Sequence, residues 1–153
     1  MLFLLFELGQ DRFVLDALQV AEILPLVDIK QIPQAPPAVA GIFNYHGSPV
    51  PVIDVSQLTL GRPAERRVST RIVVVHYPDA EGVARLLGLI AERATQTVRR
   101  EVTDFTPSGV SSEGASYLGP VTTDERGLLQ WLDVQALLPV RVRNALFQLP
   151  RAE

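Results

Sequence analysis

The stretch Val39-Ala40-Gly41-Ile42-Phe43-Asn44-Tyr45-His46-Gly47-Ser48-Pro49-Val50-Pro51-Val52-Ile53-Asp54 contains two apolar runs on either side of a short polar break. The runs at 39–45 and 50–55 flank His46-Gly47-Ser48, a spacing that predicts a β-hairpin in which Gly47 supplies a positive φ. Pro49 and Pro51 carry no backbone N–H, so the returning strand is expected on a sheet edge or with a late start. Upstream, three prolines within residues 33–37 impose an extended loop, because each fixes its own φ and restricts the residue before it.

Strand signals continue in both directions. Residues 2–8, the turn at Gly9-Gln10-Asp11 and residues 12–16 predict a hairpin. Asp16 is placed to cap a brief helical turn in 17–23 that leads into another extended piece. Runs rich in Val, Ile and Leu at 71–77 and 85–91, separated by Pro78-Asp79-Ala80-Glu81-Gly82, predict a further hairpin. Residues 128–132 form a late strand, and Asp133 caps a short helix over 134–138. Val142, Leu146 and Leu149 give one apolar face to a C-terminal docking helix that Pro150 stops. Residues 61–69 and 103–116 are polar connectors. Short strands with turn signals between them predict a mainly β fold of small barrels or a sandwich, since a parallel sheet needs longer crossover helices.

The chain has 153 residues, enough for one compact domain or two small sub-barrels sharing an interface. A hydrophobic fraction of 47% implies either a partner-covered apolar face or many buried strands. Net charge is -3, and Lys30 is the single lysine; outside Arg62, Arg66, Arg67 and Arg71 the basic residues are dispersed, which argues against a nucleic-acid-tracking surface. Without cysteine there is no disulfide, thiolate metal site or thiol nucleophile. The apolar start at 1–6 is cut by Glu7 before it reaches the length of a signal peptide or a span, so the expected compartment is the cytoplasm.

Enzyme chemistry finds little support. His46 and His76 fall on different hairpins without carboxylate spacing around them, and neither a metal nor a cofactor is expected. Asp16 with Glu22, or Asp54 with Glu92, lacks any signal that fixes a catalytic separation. Gly109-Val110-Ser111-Ser112-Glu113-Gly114 has no serine centred between two glycines and is no nucleophile elbow. No glycine-rich phosphate loop occurs.

The hairpin segment resembles the CheW-domain signature, a Gly-apolar-x-Asn-Leu-Arg-Gly turn followed by an apolar-Pro-apolar-apolar-Asp strand. Val20-Ala21-Glu22-Ile23 resembles the family's Val-x-Glu-Ile segment, and residues 32–36 resemble its apolar-Pro loop. Thr70-Arg71-Ile72, Gly88-Leu89-Ile90 and Gly127-Leu128-Leu129 fall where further family strands lie, so the resemblance covers about residues 2 to 138. It implies two small five-stranded β-barrels packed side by side with short helices, including a C-terminal one, forming a single CheW-like domain over residues 1–150. It also implies a non-enzymatic cytoplasmic adaptor, recruited to membrane receptor arrays, that couples a chemoreceptor hairpin tip to the regulatory domain of a CheA-type histidine kinase. Neither nucleic acid nor membrane insertion is implied. Receptor contact carries over to Val20, Glu22, Ile23, Gly41, Asn44, His46, Gly47, Ile72, Gly88 and Ala94; kinase-facing residues stay unassigned.

Three departures stand out: Tyr45-His46 in place of Leu-Arg, Ala91-Glu92 in place of Val-Asp, and Ala94 and Thr97 in place of larger aliphatics. They fit a relative serving a dedicated receptor set, such as the surface-sensing (Wsp-type) kind that steers a cyclic-di-GMP-making response regulator. Two alternatives stand beside the coupling role: a β-barrel hydrolase using Asp54 and His46 as acid and base, and a peptide-binding barrel that recruits extended ligands at an edge strand.

Overall fold

The computed structural model describes residues 1–79, 81–110 and 113–147. Strands β1 (Leu2–Leu8) and β2 (Asp11–Asp16) form the expected first hairpin. The Asp16 carboxylate then accepts from Leu18 N at 2.9 Å, capping a single 3-10 turn at Ala17–Gln19 before β3 (Val20–Pro25). β4 (Val39–Tyr45) and β5 (Ser48–Asp54) form the second hairpin. A short helix α1 (Val55–Leu60) follows, then β6 (Arg71–His76) and a long β7 (Leu86–Arg99). β8 (Leu118–Asp124), β9 (Gly127–Leu132) and α2 (Val140–Leu146) complete the chain of elements.

The fold is mainly β, with nine strands in two five-stranded halves that share β7. In one half the order is β3-β6-β7-β5-β4, in the other β7-β1-β2-β9-β8. β7 pairs with β6 through Ala91 and with β1 from Glu92 onward, so it passes from one half to the other at that point.

This arrangement explains the apolar composition through buried strands. Along β1, Leu4, Phe6 and Leu8 enter the central core, while Phe3 and Leu5 face a second cluster with Val14, Phe105 and Leu129. Along β6, Val73 and Val75 join the central core and Ile72 and Val74 a third cluster with Phe43, Val50 and Val52. A strand covered on both faces reads as a continuous apolar run instead of an alternating one. That is the pattern of 2–8 and 71–77.

Several expectations need correction. β7 runs to Arg99 and not to residue 91; its second half reads as polar because it is mostly exposed, with Ala94 buried and Val98 half-buried. β8 was not expected at all, since Gly119-Pro120 punctuates it and none of its residues is fully buried. α1 was not expected either. Its signals are present in Asp54, which caps Gln57 N at 3.2 Å, and in Gly61, which ends the helix at φ 74. β5 pairs with β7 only from Val52 to Asp54, beyond both prolines, so its first half is an edge and its second half is interior. Asp133 caps a 3-10 turn at Val134–Ala136, and α2 buries Val142 and packs Leu146 on the core; Leu149 and Pro150 lie outside the described residues, as do Ala80, Ser111 and Ser112.

Asp54 ties three pieces of one half together. Its Oδ1 caps α1, its Oδ2 accepts from Ala64 N at 2.9 Å, and the residue is 8% exposed. Asp54→Ala strands two backbone donors and is expected to cost about 2 kcal/mol in urea unfolding; an unchanged midpoint would show that water serves those donors equally well.

Candidate docking surface

The β4–β5 turn closes with Tyr45 opposite Ser48, leaving His46 and Gly47 as its two central residues at φ 51 and φ 87. Positive φ at both positions is the requirement of the type I′ turn, whose twist suits a hairpin. The turn is held by the Asn44 side chain, whose Oδ1 accepts from Gly47 N at 2.8 Å.

The tip is linked to β3, the opposite edge of the same half. Tyr45 donates its hydroxyl proton to Glu22 Oε1 at 2.7 Å, and His46 Nε2 lies 3.4 Å from the same oxygen. The Tyr45 and His46 rings meet edge to face at 4.4 Å between centroids. The hydrogen bond from Tyr45, then that from His46, lowers the Glu22 pKa, and the same contact to Glu22 raises that of Tyr45. A second link joins the segment after β3 to β4: Lys30 and Ile42 exchange backbone hydrogen bonds of 2.8 and 2.9 Å. Beside the hairpin, Asp28, Ile29, Lys30, Ile42, Phe43 and Pro49 line an open groove of about 500 Å³.

Of the ten residues named for receptor contact, Glu22, Asn44, His46 and Gly47 come together at this tip, with Ile23 40% exposed next to Glu22 on β3. Val20 is half-buried against the central core. Gly41, Ile72, Gly88 and Ala94 are buried. Gly88 leaves room for Ile72, Val52 and Phe43, where an added Cβ would stand 3.2 to 3.4 Å from their side chains. These four shape the strands beneath the surface and offer no side chain to a partner. Tyr45, read from sequence only as a departure, is the residue that clamps Glu22. Its signal was a phenol next to the turn, and its partner lies 23 positions away.

The hydrolase alternative fails on geometry. His46 lies in the turn before β5 and Asp54 is the last residue of that strand, so the strand's length, roughly 20 Å, separates them. Both oxygens of Asp54 are already engaged by backbone donors. Recruitment of an extended peptide along β5 fails as well, because the strand has β4 on one side and, from Val52, β7 on the other; only its proline-bearing stretch is open. Among the described residues no group of three or more His, Asp or Glu converges as a metal site.

The molecule is thus a β module with two sheets sharing a strand and a polar cluster at a hairpin tip. The chain belongs to the CheW-like domain family, whose model matches residues 2–142. It is similar to the chemotaxis protein CheW of Treponema pallidum, 28% identical over 138 residues that cover 86% of this chain and 78% of that one. The chemotaxis protein CheW of Helicobacter pylori is 29% identical over 106 residues, 69% of this chain and 61% of the relative. In three dimensions the fold matches the scaffolding protein TtCheW of Thermoanaerobacter tengcongensis with a TM-score of 0.80 at 20% identity, covering 92% of this chain and 89% of that one.

Proposed function

We propose that the chain is a non-enzymatic coupling adaptor of a chemosensory array, acting as a single unit over residues 1–150. It joins the hairpin tip of a chemoreceptor-type protein to the regulatory domain of a CheA-type histidine kinase, in the cytoplasm beneath membrane receptors. Family membership supports the role. The observation that carries the site is the partly exposed Glu22–Tyr45–His46 cluster, in which the β4–β5 turn favours the charged form of the Glu22 carboxylate on β3, next to the partly exposed Ile23. An apolar contact with one oriented charge at its rim fixes register and partner choice. Of the residues named for receptor contact, Glu22, Ile23, Asn44, His46 and Gly47 act at the surface, and Val20, Gly41, Ile72, Gly88 and Ala94 support it. The Tyr45-His46 pair makes this a private surface suited to a dedicated receptor set of the surface-sensing kind.

Titration of the protein with a receptor hairpin fragment, alone and with the kinase regulatory domain, tests the proposal. Glu22→Lys is expected to weaken the receptor complex about tenfold or more while leaving the melting transition in place. Equal affinity of wild type and variant would remove the tip from the interface. His46→Arg supplies a permanent planar fork; it should weaken binding to the cognate tip and improve cross-reaction with ordinary chemoreceptor tips, and unaltered preference would overturn the private surface.

No helix among the described residues is long and apolar enough to cross a membrane. In the proposed role the link to the membrane runs through the receptor.

A further inference from the structure

The arginine-rich connector at 61–67 forms one wall of a polar cleft of about 480 Å³ at the point where β7 changes halves. The β1–β2 turn forms a second wall and β7 a third. Three guanidinium groups, of Arg62, Arg67 and Arg93, line it together with Glu7, Glu65 and Glu92.

The acids are not equally free. Glu92 Oε2 already accepts from Ser56 Oγ at 3.2 Å and from Glu65 N at 3.0 Å. Glu7 and Glu92 stand opposite each other in the β1–β7 ladder, a like-charge pair that the Arg93 guanidinium relieves from 3.4 Å. That distance is long for a charged hydrogen bond. Arg67 pairs with Glu65, its neighbour but one, and both side chains are more than half exposed. Arg62 has no acidic partner among the described residues. Its Nη2 lies against the β1–β2 turn, 3.1 Å from where a Cβ on Gly9 would stand.

Arg93 is held at φ 52, a backbone conformation that disfavours any side chain, and it lies inside the register shift between β1 and β7. A strained non-glycine residue whose charged end points into a cleft marks a position where the guanidinium has a use.

We propose that this cleft binds a small ligand bearing a diphosphate group, with Arg62, Arg67 and Arg93 as its donors. A carboxylate ligand would offer these arginines the same acceptor that Glu7 and Glu65 already provide. A diphosphate carries more charge and more acceptor oxygens, so it displaces Glu65 from the exposed Arg67 pair and engages several planar forks at once, while Arg93 keeps Glu7 through Nε and offers its terminal nitrogens. The site is independent of the coupling role. Its position bears on both halves, since its walls come from β1, from the connector ahead of β6, and from the strand they share.

Inorganic pyrophosphate is the probe. Titration calorimetry and thermal melts of the full chain are expected to show saturable one-to-one binding and a raised Tm. Arg62→Ala and Arg93→Gly should each weaken it at least tenfold, whereas Arg66→Ala, outside the cleft, should leave it unchanged. Glycine accepts a positive φ, so Arg93→Gly relieves backbone strain while it leaves the Glu7–Glu92 pair uncompensated; its unliganded melt reads the balance, and Arg62→Ala decides alone if that melt is lost. Absence of saturable binding would overturn the proposal. So would succinate binding as tightly as pyrophosphate, or Arg66→Ala weakening the complex as much as Arg62→Ala, which would mean diffuse attraction to a basic surface.

Discussion

Gly41→Ala is expected to destabilise the protein by roughly 3–5 kcal/mol, among the largest effects of any single substitution here. A Cβ at this position would stand 2.0 Å from the Lys30 carbonyl oxygen, 2.7 Å from its carbon and 2.9 Å from Ile29 Cγ2. Two of those atoms are backbone, so no rotamer change relieves the clash. The residue also sits at φ +143, outside the range that side chains favour. Overpacking costs about 1–3 kcal/mol and backbone strain a similar amount. Pushing residues 28–30 away also endangers the pair of Lys30–Ile42 hydrogen bonds, each worth about 1 kcal/mol. Gly47→Ala makes the matched comparison. Nothing lies within 4 Å of its Cβ position, so only its φ of 87 is penalised and the cost is about 1–2 kcal/mol. Urea unfolding with a constant slope measures both; a Gly41→Ala change within 0.5 kcal/mol of wild type would mean the 28–30 segment yields freely. The distinction matters for function, because lost receptor binding in a Gly41 variant reports a displaced groove wall rather than a lost contact.

Much of the fold was legible because local chemistry and tertiary position agree. Gly9 in the first turn, Gly47 in the second and Asp16 ahead of the 3-10 turn each do in the structure what their residue type does in isolation. Failures occurred where an element is defined by what packs on it. The second half of β7 carries Glu92, Arg93, Thr95, Gln96, Thr97 and Arg99, and it is a strand because β1 pairs with it. β8 contains Gly119 and Pro120, residue types that disfavour a strand interior, yet Gly119 is required by the Trp131 carbonyl 2.9 Å from its Cβ position. α1 has only six residues, too few for a periodic signal, and rests on its two caps. At the candidate site, Glu22 and His46 could be named one at a time. The Tyr45–Glu22 hydrogen bond could not, since it exists only when β3 and β4, the two outer strands of one half, are brought face to face. All ten receptor-contact residues, the buried Ile72, Gly88 and Ala94 among them, came from family resemblance, which tells that a position matters without telling whether it touches a partner or supports one that does.

Asp124 makes the second large prediction, one that depends on pH. Arg12, 8% exposed on β2, donates through both terminal nitrogens to the Asp124 carboxylate, with Nη1 to Oδ2 at 2.9 Å. Arg126 N adds a third donor at 2.8 Å. Hydrogen bonding to Arg12 and Arg126, against some desolvation, brings the Asp124 pKa down from 3.8 to about 2. A carboxylate with a depressed folded-state pKa contributes stability that is fully present above its unfolded value and is lost as pH falls through the folded one. Between pH 4 and pH 2 the protein should therefore lose about 1–2 kcal/mol from this group, after discounting for the solvent that reaches it. The pair pins the β8–β9 turn to β2, and Trp131, the single tryptophan, lies on β9 against Phe3 at 4.9 Å and Phe105 at 5.0 Å. Tryptophan fluorescence thus reports on the strand that the pair secures. Asp124→Asn leaves the Arg12 charge buried without its counter-ion and is expected to cost about 3 kcal/mol at pH 7. It should also flatten the acid limb of the stability profile. The double variant Arg12→Met with Asp124→Leu removes both charges and should recover most of that loss, because a buried pair repays little beyond its own desolvation. If Asp124→Asn kept the wild-type acid limb, or the double variant proved less stable than the single, the ion pair would not be what holds β8 and β9 against β2.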